Sequence, residues 1–221
     1  MTSRRPERAL IAYAIGFLLF YLSTDFVVPN LASSELPRPD AAAEVARSWF
    51  ADNPAAAVMI GVCQVLSVAC LAGFALSLRR ISVTPGQASA ARRAMPWAWV
   101  AVVCMVLSSV LSWVLAAIAS TASLGAVDAL RTGSFIAGGT AHVVALGVFV
   151  LLASRIPGFG KAIRVFAVVA AVPAIASLVS LVWYNGAVLI LLGRLLCMIW
   201  TISAAVSVLR RTSRRSVGAV Q

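Results

Sequence analysis

Few side chains in this 221-residue chain could do chemistry, and the most demanding of them is Arg194. It stands in Leu191-Leu-Gly-Arg-Leu-Leu-Cys-Met-Ile-Trp200, a run that is otherwise hydrocarbon. A guanidinium keeps its charge in a protein, and an unpaired buried charge is costly, so the rest of the chain has to answer it. Other chemistries are excluded by counting. A single histidine, His142, rules out a multi-histidine metal site or a bis-histidine haem. Cys63, Cys70, Cys104 and Cys197 fall in apolar runs and form no Cys-x-x-Cys, so they read as packing thiols. No phosphate-binding glycine loop, nucleophile elbow or pair of membrane carboxylates occurs, and neither catalytic residues nor a cofactor are expected.

The elements that position Arg194 follow from composition. Hydrophobic residues make up 62% of the chain and charged residues 11%, far from the balance of a soluble domain. Apolar runs of about 20 residues, enough to cross a bilayer, occur at 9–28, 56–78, 96–119, 134–154, 165–184 and 187–208. The expectation is an all-α polytopic protein: a single integral membrane domain over residues 1–221 with six transmembrane helices. Arg4, Arg5 and Arg8 before the first run imitate a signal peptide, but the run is too long and no small-x-small site closes it, so a retained helix is expected.

The net charge of +11 is not a nucleic-acid signature once the basic residues are located. Arg4, Arg5, Arg8, Arg79, Arg80, Arg92, Arg93, Arg155, Lys161, Arg164, Arg210, Arg211, Arg214 and Arg215 all fall in the termini and the even-numbered connections. The opposite loops hold Arg38, Arg47 and Arg131 with five acids. The positive-inside rule then puts both termini in the cytoplasm, and attraction to anionic inner-leaflet lipid accounts for the charge. Seventeen arginines to one lysine, with abundant alanine and valine, point to a high-GC bacterial genome and a plasma (inner) membrane.

The longest outer loop, residues 29–54, contains Pro39-Asp40-Ala-Ala-Ala-Glu44-Val-Ala-Arg-Ser-Trp49-Phe50. Its spacing predicts a short interfacial helix opened by Asp40 and closed before Asn53-Pro54, with Trp49 and Phe50 at headgroup level; a lid is the functional alternative. Pro85-Gly86 with Arg92, and Pro157-Gly158 with Arg164, share an offset of 72 residues that Ser108 and Ser180 also keep; a duplicated hairpin and chance explain this equally well.

Counting along each span at 1.5 Å per residue puts Arg194 roughly 10 Å below the outer interface. Tyr21, Gln64, Ser112, His142 and Ser177 reach about the same level, with Asp25 nearer the surface. These residues extend into stripes with Ser108, Ser109, Gly138, Pro173, Ser180, Tyr184, Cys197 and Thr201, which should face the bundle interior rather than lipid. Asp25, the one acid within a span, is the expected counter-ion of Arg194, and that pairing requires span 1 to adjoin span 6. Ala137, Ala141 and Ala145, and Ala167, Ala170, Ala171 and Ala174, should form close helix contacts, and Pro173 should bend span 5 below Ser177.

The last span, Leu191-Leu192-Gly193-Arg194-Leu195 followed by Trp200 and the Arg210-Arg211 tail, resembles the final helix of small polytopic bacterial membrane proteins. About thirty residues carry that resemblance, and it implies a six-helix integral membrane protein without implying an activity. The function expected is that of a non-enzymatic accessory or binding protein. Its partners would be membrane lipid, another membrane protein, or a small or anionic ligand held by Arg194. The alternatives are a small-solute or proton-coupled transporter using Asp25, His142 and the Pro173 bend, and an intramembrane enzyme using His142.

Overall fold

Apolar runs of this length satisfy their own backbone only as helices, and the chain is helical almost throughout. The computed structural model describes residues 5–218, without the side chains at 5–7, 184 and 212–218. Arg4 and the side chains of Arg5, Tyr184, Arg214 and Arg215 lie outside the described residues. The elements are α1 (Arg5–Leu22), α2 (Thr24–Leu31), α3 (Ala43–Asp52), α4 (Pro54–Ile81), α5 (Pro85–Ile118) and α6 (Leu124–Ser134). A π-helical segment (Phe135–Ala141) then leads into α7 (His142–Ala153), followed by α8 (Lys161–Ala176), 3-10 turns at Ser177–Leu181 and Tyr184–Ala187, and α9 (Val188–Gly218). No strand occurs among the described residues.

Six helical stretches are long and apolar enough to cross a membrane: Arg8–Leu31, Pro54–Ile81, Pro85–Ile118, Leu124–Ala153, Lys161–Leu181 and Asn185–Arg211. The first is not the continuous helix expected from the sequence. After Ser23, whose N–H still reaches the Leu19 carbonyl at 2.9 Å, the ladder is interrupted: the Phe26 N–H bonds only three residues back to Ser23 at 3.2 Å, and the hydroxyls of Ser23 and Thr24 donate to the Leu19 and Tyr21 carbonyls at 2.8 and 2.7 Å, a local competition that splits the span into α1 and α2. The short helix in the next loop also starts later than expected, at Ala43 rather than Asp40, because Ala42 is extended.

The helices form a closed ring in chain order. α1 packs on α4, α4 on α5, α5 on α7, α7 on α8 and α8 on α9, while α9 returns to α1 and also meets α7. The first and last spans are therefore neighbours. On α8 the inward face is built from small residues and the outward face from larger ones. Ala167, Ala170, Ala171 and Ala174 are 0–1% exposed, whereas Val165, Val168, Val169 and Val172 are 52–61% exposed. That inversion suits helices that gain nothing by hiding valine from lipid but gain contact by close backbone approach. Ala174 is where backbones approach closely: a Cβ on Gly193 of α9 would come within 2.5 Å of its backbone, and one on Gly147 of α7 within 2.8 Å of its methyl. Ala137 and Ala145 are buried as expected; Ala141 is half-buried.

α8 gives way to 3-10 geometry at Ser177, four residues after Pro173, whose missing N–H leaves the carbonyl one turn back without its helical donor. The two Pro-Gly turns are not equivalent. Pro85 opens α5 behind a reciprocal Thr84–Gln87 cap, whereas Gly158 takes a positive φ of 115° in a turn ahead of α8. They touch instead, the Gln87 amide donating to the Pro157 carbonyl at 2.9 Å. Toward this end of the bundle the core is aromatic, with Phe74 edge-on to Phe149 and buried Trp200 donating to the Ile163 carbonyl at 3.0 Å.

The Ala174 crossing predicts that Gly193→Ala, which has only backbone to push against, costs roughly 1–3 kcal/mol. Gly125→Ala, in α6 with nothing within 4 Å, should be neutral or stabilising by up to about 1 kcal/mol. Thermal melts of the two variants in one detergent check the contrast.

Candidate ligand-binding site

Arg194 points into the bundle interior, not toward lipid: it is 7% exposed and lines a cavity of about 300 Å³ at the end of the ring that carries α3. Its position is fixed by its neighbours in sequence. Gly193 brings α9 against α8, and the next residue then faces α1 and the π segment. There the Arg194 Nη2 donates to the Gly138 carbonyl, and its guanidinium carbon sits 4.9 Å from the centre of the Tyr21 ring. Gly138 is needed at that place, because a Cβ would come within 2.2 Å of the Ser108 hydroxyl. The Nε of Arg194 is buried and has no hydrogen-bond partner among the described residues.

The expected counter-ion is not there. Asp25 is exposed and makes no ion pair; the one ion pair among the described residues joins Arg131 to Asp128 at 2.7 Å. The break at Ser23 explains the difference. Asp25 falls in the first turn of α2, where a carboxylate offsets unpaired helix amides, rather than continuing the Tyr21 face of α1. Adjacency of the first and last spans holds, but it delivers the Tyr21 ring and not a carboxylate.

One wall of the cavity is polar. Gln64, Ser108, Ser112 and Ser134 line it with Arg131 and Arg194. The serines are mutually bonded: Ser108 and Ser112 Oγ lie 2.9 and 3.0 Å from Ser134 Oγ. Gln64 accepts from Ser109 at 3.2 Å, leaving its amide nitrogen for whatever enters. The apolar lining comes from α3 and its approach, Pro37, Ala46, Trp49 and Phe50, and from Ala57 and Ile60 of α4 that pack with them, while Phe135 and Ile190 add hydrocarbon on the bundle side. Trp49 turns inward, 3% exposed, with Phe50 edge-on at 5.1 Å and its indole N–H donating to the Ser34 carbonyl at 3.1 Å. Both ends of α3 are tied down. Arg131 Nη1 donates to the Ala41 carbonyl, while buried Asn53 accepts from the Ser33 N–H at 2.7 Å and donates to Trp49 O at 2.9 Å.

Two expected members of the polar layer are elsewhere. His142 is fully buried with Nδ1–H donating to the Ala101 carbonyl at 2.8 Å, and it does not line the cavity. His142 faces α5 as Gly138 does, whose absent side chain would meet Ser108 and Met105, but it lies a turn deeper, opposite Ala101 and beyond the cavity. Ser177 is also fully buried, its hydroxyl spent on the Ala174 carbonyl at 2.6 Å. Ser180 pairs with Thr140 at 2.9 Å rather than joining the layer. Two cavity residues, Ser134 and Arg131, are absent from the sequence-based layer. Extending the Gly138 stripe one turn back gives Ser134, and three residues further gives Arg131. Comparison with protein-family models, with curated proteins and with solved structures gives no match to this chain.

The site can therefore offer hydrogen-bond donors and positive charge, with no carboxylate among its lining residues. Asp25→Asn should change stability by less than about 0.5 kcal/mol, as for a surface position. Tyr21→Leu, which removes the ring under the guanidinium, should cost about 1–2 kcal/mol. Chemical or thermal unfolding of both variants measures the difference.

Proposed function

We propose that this chain is a non-enzymatic inner-membrane protein that binds a small anionic group in the cavity beside Arg194. In this reading both termini are cytoplasmic, the basic connections meet the anionic inner leaflet, and α3 lies at the outer surface as the cavity's cover. The single observation that carries it is the state of Arg194: buried, facing a cavity, and paired with no carboxylate among the described residues. One carbonyl and one aromatic ring leave most of the desolvation cost of a buried cation uncompensated, a cost of several kcal/mol. An oxyanion in the cavity beside the guanidinium would offset it with charge-assisted hydrogen bonds, the strongest the site can make. The groups that proton-coupled transport or His142 chemistry would use, Asp25 and His142, do not share this cavity.

The test is a pair of isosteres. In phosphatidylcholine nanodiscs at fixed ionic strength, ~100 mM acetate should raise the Tm of the native protein by a few degrees through mass action, while neutral acetamide does not. Arg194→Met should lose the acetate response and, without anion, melt no lower than the native protein. An equal acetate response in Arg194→Met would overturn the proposal.

A further inference from the structure

Resting on the anion reading above, the geometry points to a more specific occupant: an amphiphile with one oxyanion head at Arg194 and a compact apolar body held against α3. The first ground is the unlikeness of the two walls. Arg194, Gln64 and Ser112 on the bundle side offer N–H and O–H donors, whereas Ala46, Trp49 and Phe50 on the cover offer hydrocarbon. A wholly hydrophilic anion would satisfy the first wall and leave the second facing water; an uncharged lipid would do the reverse.

The second ground is that the two arginines are in different states. Arg131 is already neutralised by Asp128 and engaged by the Ala41 carbonyl. Arg194 has a carbonyl and a ring but no opposite charge among the described residues, so the head is drawn to it. Arg131 stands seven residues before Gly138, roughly 10 Å along the helix axis, so the charged end of the cavity is set well back from its α3 end. Between them there is length for a short apolar body directed at the cover.

The third ground is size. A cavity of about 300 Å³ is at the lower limit of ligand pockets, and α3 is fastened at both ends by Arg131 and Asn53. It suits a single medium chain or the head and first carbons of a lipid, not a two-chain lipid taken in whole. The shared chemistry is a carboxylate or phosphate bearing hydrocarbon, drawn from the bilayer or from the aqueous side.

The experiment is equilibrium dialysis of labelled octanoate, octanol and acetate against protein in phosphatidylcholine nanodiscs, with protein-free discs subtracted. Octanoate should bind at least tenfold tighter than acetate and at least tenfold tighter than octanol. Arg194→Met should abolish the preference over octanol. Ile60→Trp, which keeps the guanidinium but fills the apolar side of the cavity, should weaken octanoate at least tenfold and spare acetate. If octanoate and acetate bind equally and both depend on Arg194, the amphiphile is overturned while anion binding stands. If octanol equals octanoate, or Arg194→Met changes nothing, both fall. Phosphatidylglycerol in the discs separates the sources: competition with octanoate identifies a lipid head as the occupant, and no competition identifies a soluble amphiphile.

Discussion

A guanidinium with no carboxylate to meet it among the described residues is the constraint around which this bundle is organised. Arg194 cannot neutralise itself, and its surroundings supply only partial compensation: the Gly138 carbonyl, the face of Tyr21, and a cavity lined with donors instead of acceptors. Each depends on local sequence. The π segment and the missing side chain at Gly138 bring a backbone oxygen within reach; Gly193 against Ala174 sets the depth and rotation of α9; α1 closes the ring so that its aromatic ring covers the charge. The energy spent in burying that charge makes sense as pre-organisation, because a donor held rigid and dry binds an anion more strongly than one that must first be desolvated.

The rest of the interior divides into two halves with different jobs. Toward the end with the two Pro-Gly turns, aromatic and aliphatic side chains from Phe17 to Trp200 pack the core and fix the ring of helices. Toward the α3 end, serines, a glutamine and two arginines replace them, and the helices leave room between them. Departures from regular helix cluster there: the break at Ser23, the π segment at 135–141 and the 3-10 turn after Pro173. Such irregularity is tolerated within an apolar bundle only where backbone groups find partners inside the protein, and in this case they turn carbonyls and hydroxyls inward. α3 completes the half as a cover whose amphipathic face rests on protein.

Much of the architecture is legible in the sequence because it rests on periodicity and length. The six apolar runs, the inward stripes of small residues and the shared level of Arg194, Tyr21, Gln64 and Ser112 follow from regular helices counted at a constant rise, whereas the adjacency of first and last spans, expected only for an Asp25–Arg194 pair, holds without that pair. The errors fall where the helices are not regular and where the cavity ends. Extending α1 through Ser23 assigns Asp25 to Arg194, and carrying the Gly138 stripe one turn deeper assigns His142 to a cavity that ends above it; neither assignment holds. Ser177 bonds its own backbone at a 3-10 junction. Ser134 and Arg131 continue the Gly138 stripe toward the helix start and are reachable by spacing, whereas the inward turn of Trp49 depends on how a loop helix docks on a distant element, which spacing along one helix does not encode.

The most direct measurement is an experimental density map of the protein purified from its own membrane, at a resolution that shows side chains. The account predicts non-protein density within hydrogen-bond distance of the Arg194 guanidinium, continuing toward Trp49 and Phe50, and its disappearance in Arg194→Met. A map in which that guanidinium is paired with a carboxylate of this chain, or is swung out to the bilayer, would contradict it.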